Sequence, residues 1–367
     1  MSGILQGLLA SIGGAAGKPL YAWGRNYNGQ VGDGTTIRRS SPVQIGLDTN
    51  WSKVSGGGAF SLSIKSDGTL WSWGRNASGE LGIDSTVTRS SPVQIGSLAN
   101  WVEIACDNYR AAAIKTDGTL WSWGYNFAGQ IGDNTTLNKS SPVQIGALTD
   151  WSKIGCGAYF SVAVKTDGTL WSWGNNTYGQ LGDNTIIRRS SPVQIGALTT
   201  WSVVGVGSLF TLAIKTDGTL WAWGYNYGGF LGDGTRTNRS SPVQIGALTT
   251  WSKVACTGSS VAAVKTDGTL WTWGGNYYGQ LGQDISFVTN RSSPVQVGAL
   301  TNWDKVSGRG SHIASIKTDG TLWTWGGNSF GQLGDGTVVK RSSPVQIGSN
   351  TWNSVACGNN HTLAIEN

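Results

Sequence analysis

The stretch Lys165-Thr-Asp-Gly-Thr-Leu-Trp-Ser-Trp-Gly174 decides the fold. It recurs as Lys65 to Gly74, Lys115 to Gly124, Lys215 to Gly224, Lys265 to Gly274 and Lys317 to Gly326. A shortened copy, Lys18-Pro-Leu-Tyr-Ala-Trp-Gly24, precedes them. The seven closing Trp-Gly pairs step by 50, 50, 50, 50, 50 and 52 residues. A fixed period of this size means a stacked array or a closed ring.

One repeat reads as four short strands. Asp-Gly predicts a hairpin with a two-residue type I′ turn, flanked by Phe210-Thr-Leu-Ala-Ile214 and Thr219-Leu-Trp-Ala-Trp223. The second of these strands places Trp221 and Trp223 on one face and Leu220 and Ala222 on the other. Two apolar faces fit a sheet packed between two neighbours. A loop follows, Gly-x-Asn-x-x-Gly-Gln-Leu-Gly-Asp. Ser190-Ser-Pro-Val-Gln-Ile-Gly196 reads as a third strand, its Pro suited to an edge. Trp151-Ser-Lys-Ile-Gly155 reads as the fourth. With no helical period anywhere in the repeat, the chain is all-β: a seven-bladed β-propeller of four-stranded blades.

The two ends complement each other. The first copy lacks its Asp-Gly turn and the strand before it, and His361-Thr-Leu-Ala-Ile365 lacks its continuation. The ring is predicted to close by pairing these N- and C-terminal strands in one blade, which removes two exposed edges. Residues 18–367 form the propeller in this reading, and residues 1–17 a separate apolar anchor peptide. That peptide carries no charged side chain, lacks the basic start of a secretory signal and is too short to span a membrane. Ile4, Leu5, Leu8, Leu9 and Ile12 recur at helical spacing. They predict a short helix over 3–12 docked into another protein. The alternative is that it folds back onto its own ring.

All 20 Trp lie in the repeat, which makes them core material before anything else. The net charge of +6 is spread over two repeat positions, one beginning Lys65 and Lys115, the other Arg39 and Arg89. These read as solvated rings rather than a nucleic-acid-binding patch. Cys106, Cys156, Cys256 and Cys357 share one position filled elsewhere by Gly56, Val206 and Gly308. That is a packing site, so four free thiols are expected, with no disulfide and no metal site. Most carboxylates belong to Asp-Gly turns or Gly-Asp loops. No acid–base pair, phosphate-binding loop or calcium loop stands out, so neither an enzyme nor a cofactor is expected.

Cys357-Gly-x-x-His-x-x-Ala-Ile365, joined to Asp-Gly-Thr-Leu-Trp-x-Trp-Gly-x-Asn-x-x-Gly-Gln-Leu-Gly, resembles the regulator of chromosome condensation repeat across residues 18 to 367. The resemblance implies a seven-bladed propeller. It also implies a partner-binding face near the motif His, a role carried only to His312 and His361, since Phe60, Arg110, Phe160, Phe210 and Ser260 replace it elsewhere. Packing between blades is the preferred reading for both.

Three loop sets vary between copies. In the first, Tyr27, Phe127, Tyr227 and Tyr277 share one position and are candidate partner contacts, with packing on the next blade as the alternative. The functional expectation is a non-enzymatic interaction scaffold, a phage virion or cell-surface component. It would bind protein through the N-terminal peptide and the loop rim. One alternative is a nucleotide-exchange-type module for a small GTPase, although every blade is minimal and lacks the wedge such members carry. The other is a carbohydrate-binding or enzyme-inhibiting propeller. The expected location is a virion or cell surface, otherwise the cytoplasm.

Overall fold

The computed structural model describes residues 18–284 and 289–367. The apolar residues Ile4, Leu5, Leu8, Leu9 and Ile12 lie outside them. Every regular element among the described residues is a strand. Blade 4 shows the plan: Trp151–Cys156, Phe160–Lys165, Leu170–Gly174 and Arg189–Gln194, each antiparallel to the next. Blades 2, 3, 5 and 6 repeat it, starting at Trp51, Trp101, Trp201 and Trp251. Blade 7 starts at Trp303.

The remaining blade, blade 1, closes the ring. Leu20–Gly24 pairs with His361–Glu366 in the register Leu20↔Ile365 through Gly24↔His361. Arg39–Gln44 forms its outer edge and residues 352–357 its inner one. The predicted closure is therefore present. Blade 7, one residue short before Trp352, adds a feature of its own. Its last strand runs unbroken as Arg341–Cys357 into the closing blade, so two blades share one seven-stranded sheet.

The Trp151-type strand pairs with the hairpin that follows it, and its counterparts pack side by side around the axis. It is the innermost strand of the next blade, so the sequence repeat and the blade are offset by one strand. The hairpin turn also differs from expectation. Lys165 N–H bonds Thr169 C=O at 3.0 Å, Gly168 N–H bonds Lys165 C=O at 3.0 Å, and Gly168 has φ +78° while Asp167 does not enter the left-handed region. This is a type I turn closed by a glycine bulge. Asp167 Oδ1 accepts from the Thr169 N–H and hydroxyl at 2.9 and 2.7 Å, which rewards a right-handed Asp.

The core lies between blades. Ala112, Ile114 and Leu120 of blade 3 pack against Trp151, Ile154, Ala163 and Trp173 of blade 4, and a like cluster fills each of the seven boundaries. Trp173 is fully buried, and its indole N–H donates to Gln130 C=O of the preceding blade at 2.9 Å. Trp151 meets Trp171 edge-on at 5.9 Å.

One expected solvated ring is corrected. The lysines are largely buried: Lys165 lies 4.3 Å from the Trp171 ring and 5.1 Å from Trp151, a cation over two aromatic faces. The second ring is paired in five blades, as Arg39–Asp33, Lys139–Asp133, Arg189–Asp183, Arg239–Asp233 and Arg341–Asp335. The four cysteines are free and buried, as expected, and burial pushes their thiols up, Cys106 and Cys357 to about 12. They are inert packing groups.

Candidate functional site

Strand direction puts all three variable loop sets on one face of the ring. The loop before the second strand and the loop after the third meet there, as in Tyr125 N–H to Tyr109 C=O at 2.9 Å. The Asp-Gly hairpins occupy the opposite face.

A buried Asn holds each long loop. Asn176 donates its side-chain N–H groups to the carbonyls of Thr185 and Ile187 at 3.1 and 3.2 Å, and its Oδ1 accepts from Leu181 N–H at 3.0 Å. Asp183 braces the same loop. Burial pushes its carboxyl up, but hydrogen bonds from Thr185, Arg189 and Asn176 outweigh that and hold it below the ordinary value. The exposed side chains thus stand on a satisfied polar frame.

Tyr27, Phe127, Tyr227 and Tyr277 project from that frame and are 58, 65, 74 and 61 % exposed. Three of them join larger groups. Tyr27 meets Phe330 at 6.3 Å with Arg25 over both rings. Phe127 stacks on Tyr125 at 6.4 Å, and Tyr125 also meets Tyr109 and Tyr159. Arg188 lies over Phe127 and Arg75 over Tyr109. Tyr227 stacks on Tyr225 at 6.5 Å, beside Tyr178. Tyr125 and Tyr225 were not among the expected residues. They occupy the x of Gly-x-Asn, where other blades carry Arg25, Arg75, Asn175, Gly275 and Gly327, and that internal variation was the available signal. The result is an aromatic and arginine arc over blades 2 to 5.

His312 and His361 do not belong to this surface. Both are fully buried. His312 Nε2 meets Thr362 Oγ1 at 2.8 Å and His361 Nε2 meets Ser61 Oγ at 3.0 Å, each across a blade boundary. Burial lowers both to about 3. The expected partner contact is corrected: they are neutral packing residues, because their repeat position points between blades.

No helix among the described residues is long and apolar enough to cross a membrane. No group of three or more His, Cys, Asp or Glu among them is arranged to hold a metal.

A family model described as "RCC1-like domain" matches residues 10–253, and the regulator of chromosome condensation (RCC1) repeat matches 267–316 and 319–365. The chain belongs to the RCC1-like repeat family. Among curated relatives, the ultraviolet-B receptor UVR8 of Arabidopsis thaliana is 38 % identical over 77 residues, 20 % of this chain and 18 % of that protein. Human protein RCC2 is 43 % identical over 58 residues, 15 % and 11 %. An X-linked retinitis pigmentosa GTPase regulator homolog of Caenorhabditis elegans is 44 % identical over 57 residues, 15 % and 4 %. Each match thus spans less than a fifth of the relative. Over almost the whole chain, human WBSCR16 superposes with a TM-score of 0.85 at 21 % identity, covering 95 % and 98 % of the two chains. Prp20p of Saccharomyces cerevisiae, described with binding properties to Gsp1p and histones, gives 0.85 at 17 % identity, covering 96 % and 92 %. At that identity the likeness concerns the fold.

These relatives overturn the phage virion and cell-surface expectation for role and location. They are an ultraviolet-B receptor, protein RCC2 and a GTPase regulator homolog.

Proposed function

We propose that this chain is a non-enzymatic regulatory propeller whose loop face binds a small GTPase. The observation that carries the reading is the aromatic and arginine arc, centred on Arg75, Tyr125, Phe127 and Tyr225, raised on an otherwise repetitive frame. Exposed Tyr and Arg in rigid settings are common anchors of protein interfaces. Family membership and the GTPase regulator homolog among the relatives direct the choice of partner. The described blades carry no inserted wedge, so the loops themselves must make the contact. Residues 1–17 form a second, separate attachment point in this proposal, through Ile4, Leu5, Leu8, Leu9 and Ile12.

The test is capture of purified small GTPases, nucleotide-free and nucleotide-bound, by the full chain, with release of a fluorescent nucleotide as readout. Binding lost in Tyr125→Ala/Tyr225→Ala, with melting unchanged, supports the reading. No GTPase binding in any nucleotide state, with a positive glycan array, overturns it. A chain starting at Lys18 should keep GTPase binding and lose the second attachment.

A further inference from the structure

Two guanidinium groups and one carboxylate share the loop-face end of the ring's axis. Asp107 and Arg309 occupy the same repeat position on blades 3 and 7, and Arg110 follows Asp107 by three residues. The Asp107 carboxylate is already engaged. Its Oδ2 lies 2.7 Å from Arg110 Nε, and its Oδ1 accepts from the Tyr109 and Arg110 N–H groups at 2.7 and 3.0 Å. Arg309 crosses the axis and donates from one terminal nitrogen to Cys106 C=O at 2.6 Å. Its Nε is buried and meets no acceptor among the described residues, and the same is true of one terminal nitrogen of Arg110.

The charges therefore do not cancel. Two cations face one anion: Arg110 takes the carboxylate, and half-buried Arg309 keeps a buried Nε without an acceptor. The inner strands do not correct this. They pair Lys53 with Glu103 and Lys253 with Asp304, and otherwise add only Lys153 and Lys305.

Beside Arg309 lies a cavity of about 30 Å³, lined among others by Asn108, Ser208, Thr257 and Asn359. No carboxylate lines it. Asn108 Oδ1 accepts from Asn359 Nδ2 at 2.8 Å, so the Asn108 amide nitrogen is left as a donor. The wall joins one cation and the polar groups of Asn108, Ser208 and Asn359 to apolar surface from Cys156, Val206 and Cys256, and the space admits a small ion.

We propose that this axial mouth binds one small monovalent inorganic anion of chloride size, held by Arg309 with Arg110 behind it. The anion supplies the missing charge and ties the blade 7 loop to blade 3 across the axis. The site is independent of the partner assigned to the loop face.

Crystals of the full chain grown in bromide give the decisive reading. A bromine anomalous peak within hydrogen-bonding reach of Arg309 is expected, and its absence overturns the proposal. In solution, the melting temperature should be about 3 °C higher in sodium chloride than in sodium gluconate at equal ionic strength, with a gain that saturates. Arg309→Gln should abolish the difference between the two salts. A salt difference that survives in that variant counts against the site. If the variant does not fold, the bromide peak still decides.

Discussion

Blades 3 and 4 fill the same volume with opposite chemistry. In blade 4 the fully buried Phe160 ring lies over Gly157, where a Cβ would collide with it. In blade 3 the two positions hold Asp107 and Arg110, both buried, as an ion pair. The Gly–ring solution recurs as Gly57–Phe60, Gly207–Phe210 and Gly358–His361. Blade 6 finds a third, with the hydroxyls of Thr257 and Ser260 2.6 Å apart. In six blades the two positions change together because they share one space; in blade 7 the buried His312 ring coexists with Arg309, whose side chain leaves that space for Cys106 C=O. The charged version adds an Arg110 bond to Phe160 C=O of the next blade, at 2.6 Å, which no Phe can make.

The comparison breaks most sharply at Arg110. Arg110→Ala removes the ion-pair partner of the buried Asp107 carboxylate and the bond to Phe160 C=O, and should cost about 3–5 kcal/mol in urea unfolding. Asp107→Gly with Arg110→Phe, the blade 4 pair placed in blade 3, should return stability to wild type or above. A double variant as weak as the single would show that the blades are not interchangeable.

The closing blade gives the next effect, in pH. His361 is held near 3 when folded and titrates near 6.5 when unfolded. Its contribution to stability is complete above about pH 6.5 and is lost as pH falls toward 3, because only the unfolded chain takes up the proton. His312 behaves alike. His361→Phe, the solution of blades 2, 4 and 5, should remove roughly 2–3 kcal/mol of the stability lost between pH 7 and 4.5, about half of the two-histidine total. An unchanged pH dependence would mean that His361 is not neutral in the fold.

Gly157→Ala pushes a methyl into the Phe160 ring and should cost about 1–3 kcal/mol. Gly146→Ala has no atom nearby and only a positive φ of 63° to accommodate, so its cost should be about 1 kcal/mol. Equal losses at the two would remove the packing argument. The smallest effect is at Tyr227. Tyr227→Ala should change stability by less than about 0.5 kcal/mol while weakening partner binding, because the side chain stands clear of the core.

Much of this protein was settled by local pattern. A repeat of 50 residues, a two-residue alternation around Trp221 and Trp223, and complementary ends were enough for all-β blades, their number and the closure of Leu20–Gly24 on His361–Glu366. Strand period and turn chemistry act over a few residues and can be read along the chain. The free cysteines followed the same way, from what else their position tolerates.

Only the tertiary structure decided what those positions face. Lys165 looked solvated until its stem lay between Trp151 and Trp171, and Arg189 until Asp183 turned toward it. For His312 and His361 the sequence offered packing or a partner contact, and blade stacking encloses both. Tyr125 became part of the arc through neighbours on two blades, and Arg309 met Cys106 only because the ring brings residues 203 apart to one axis. Burial in a propeller is created by the neighbouring blade, some 50 residues away, and pairing across the axis by closure of the whole ring.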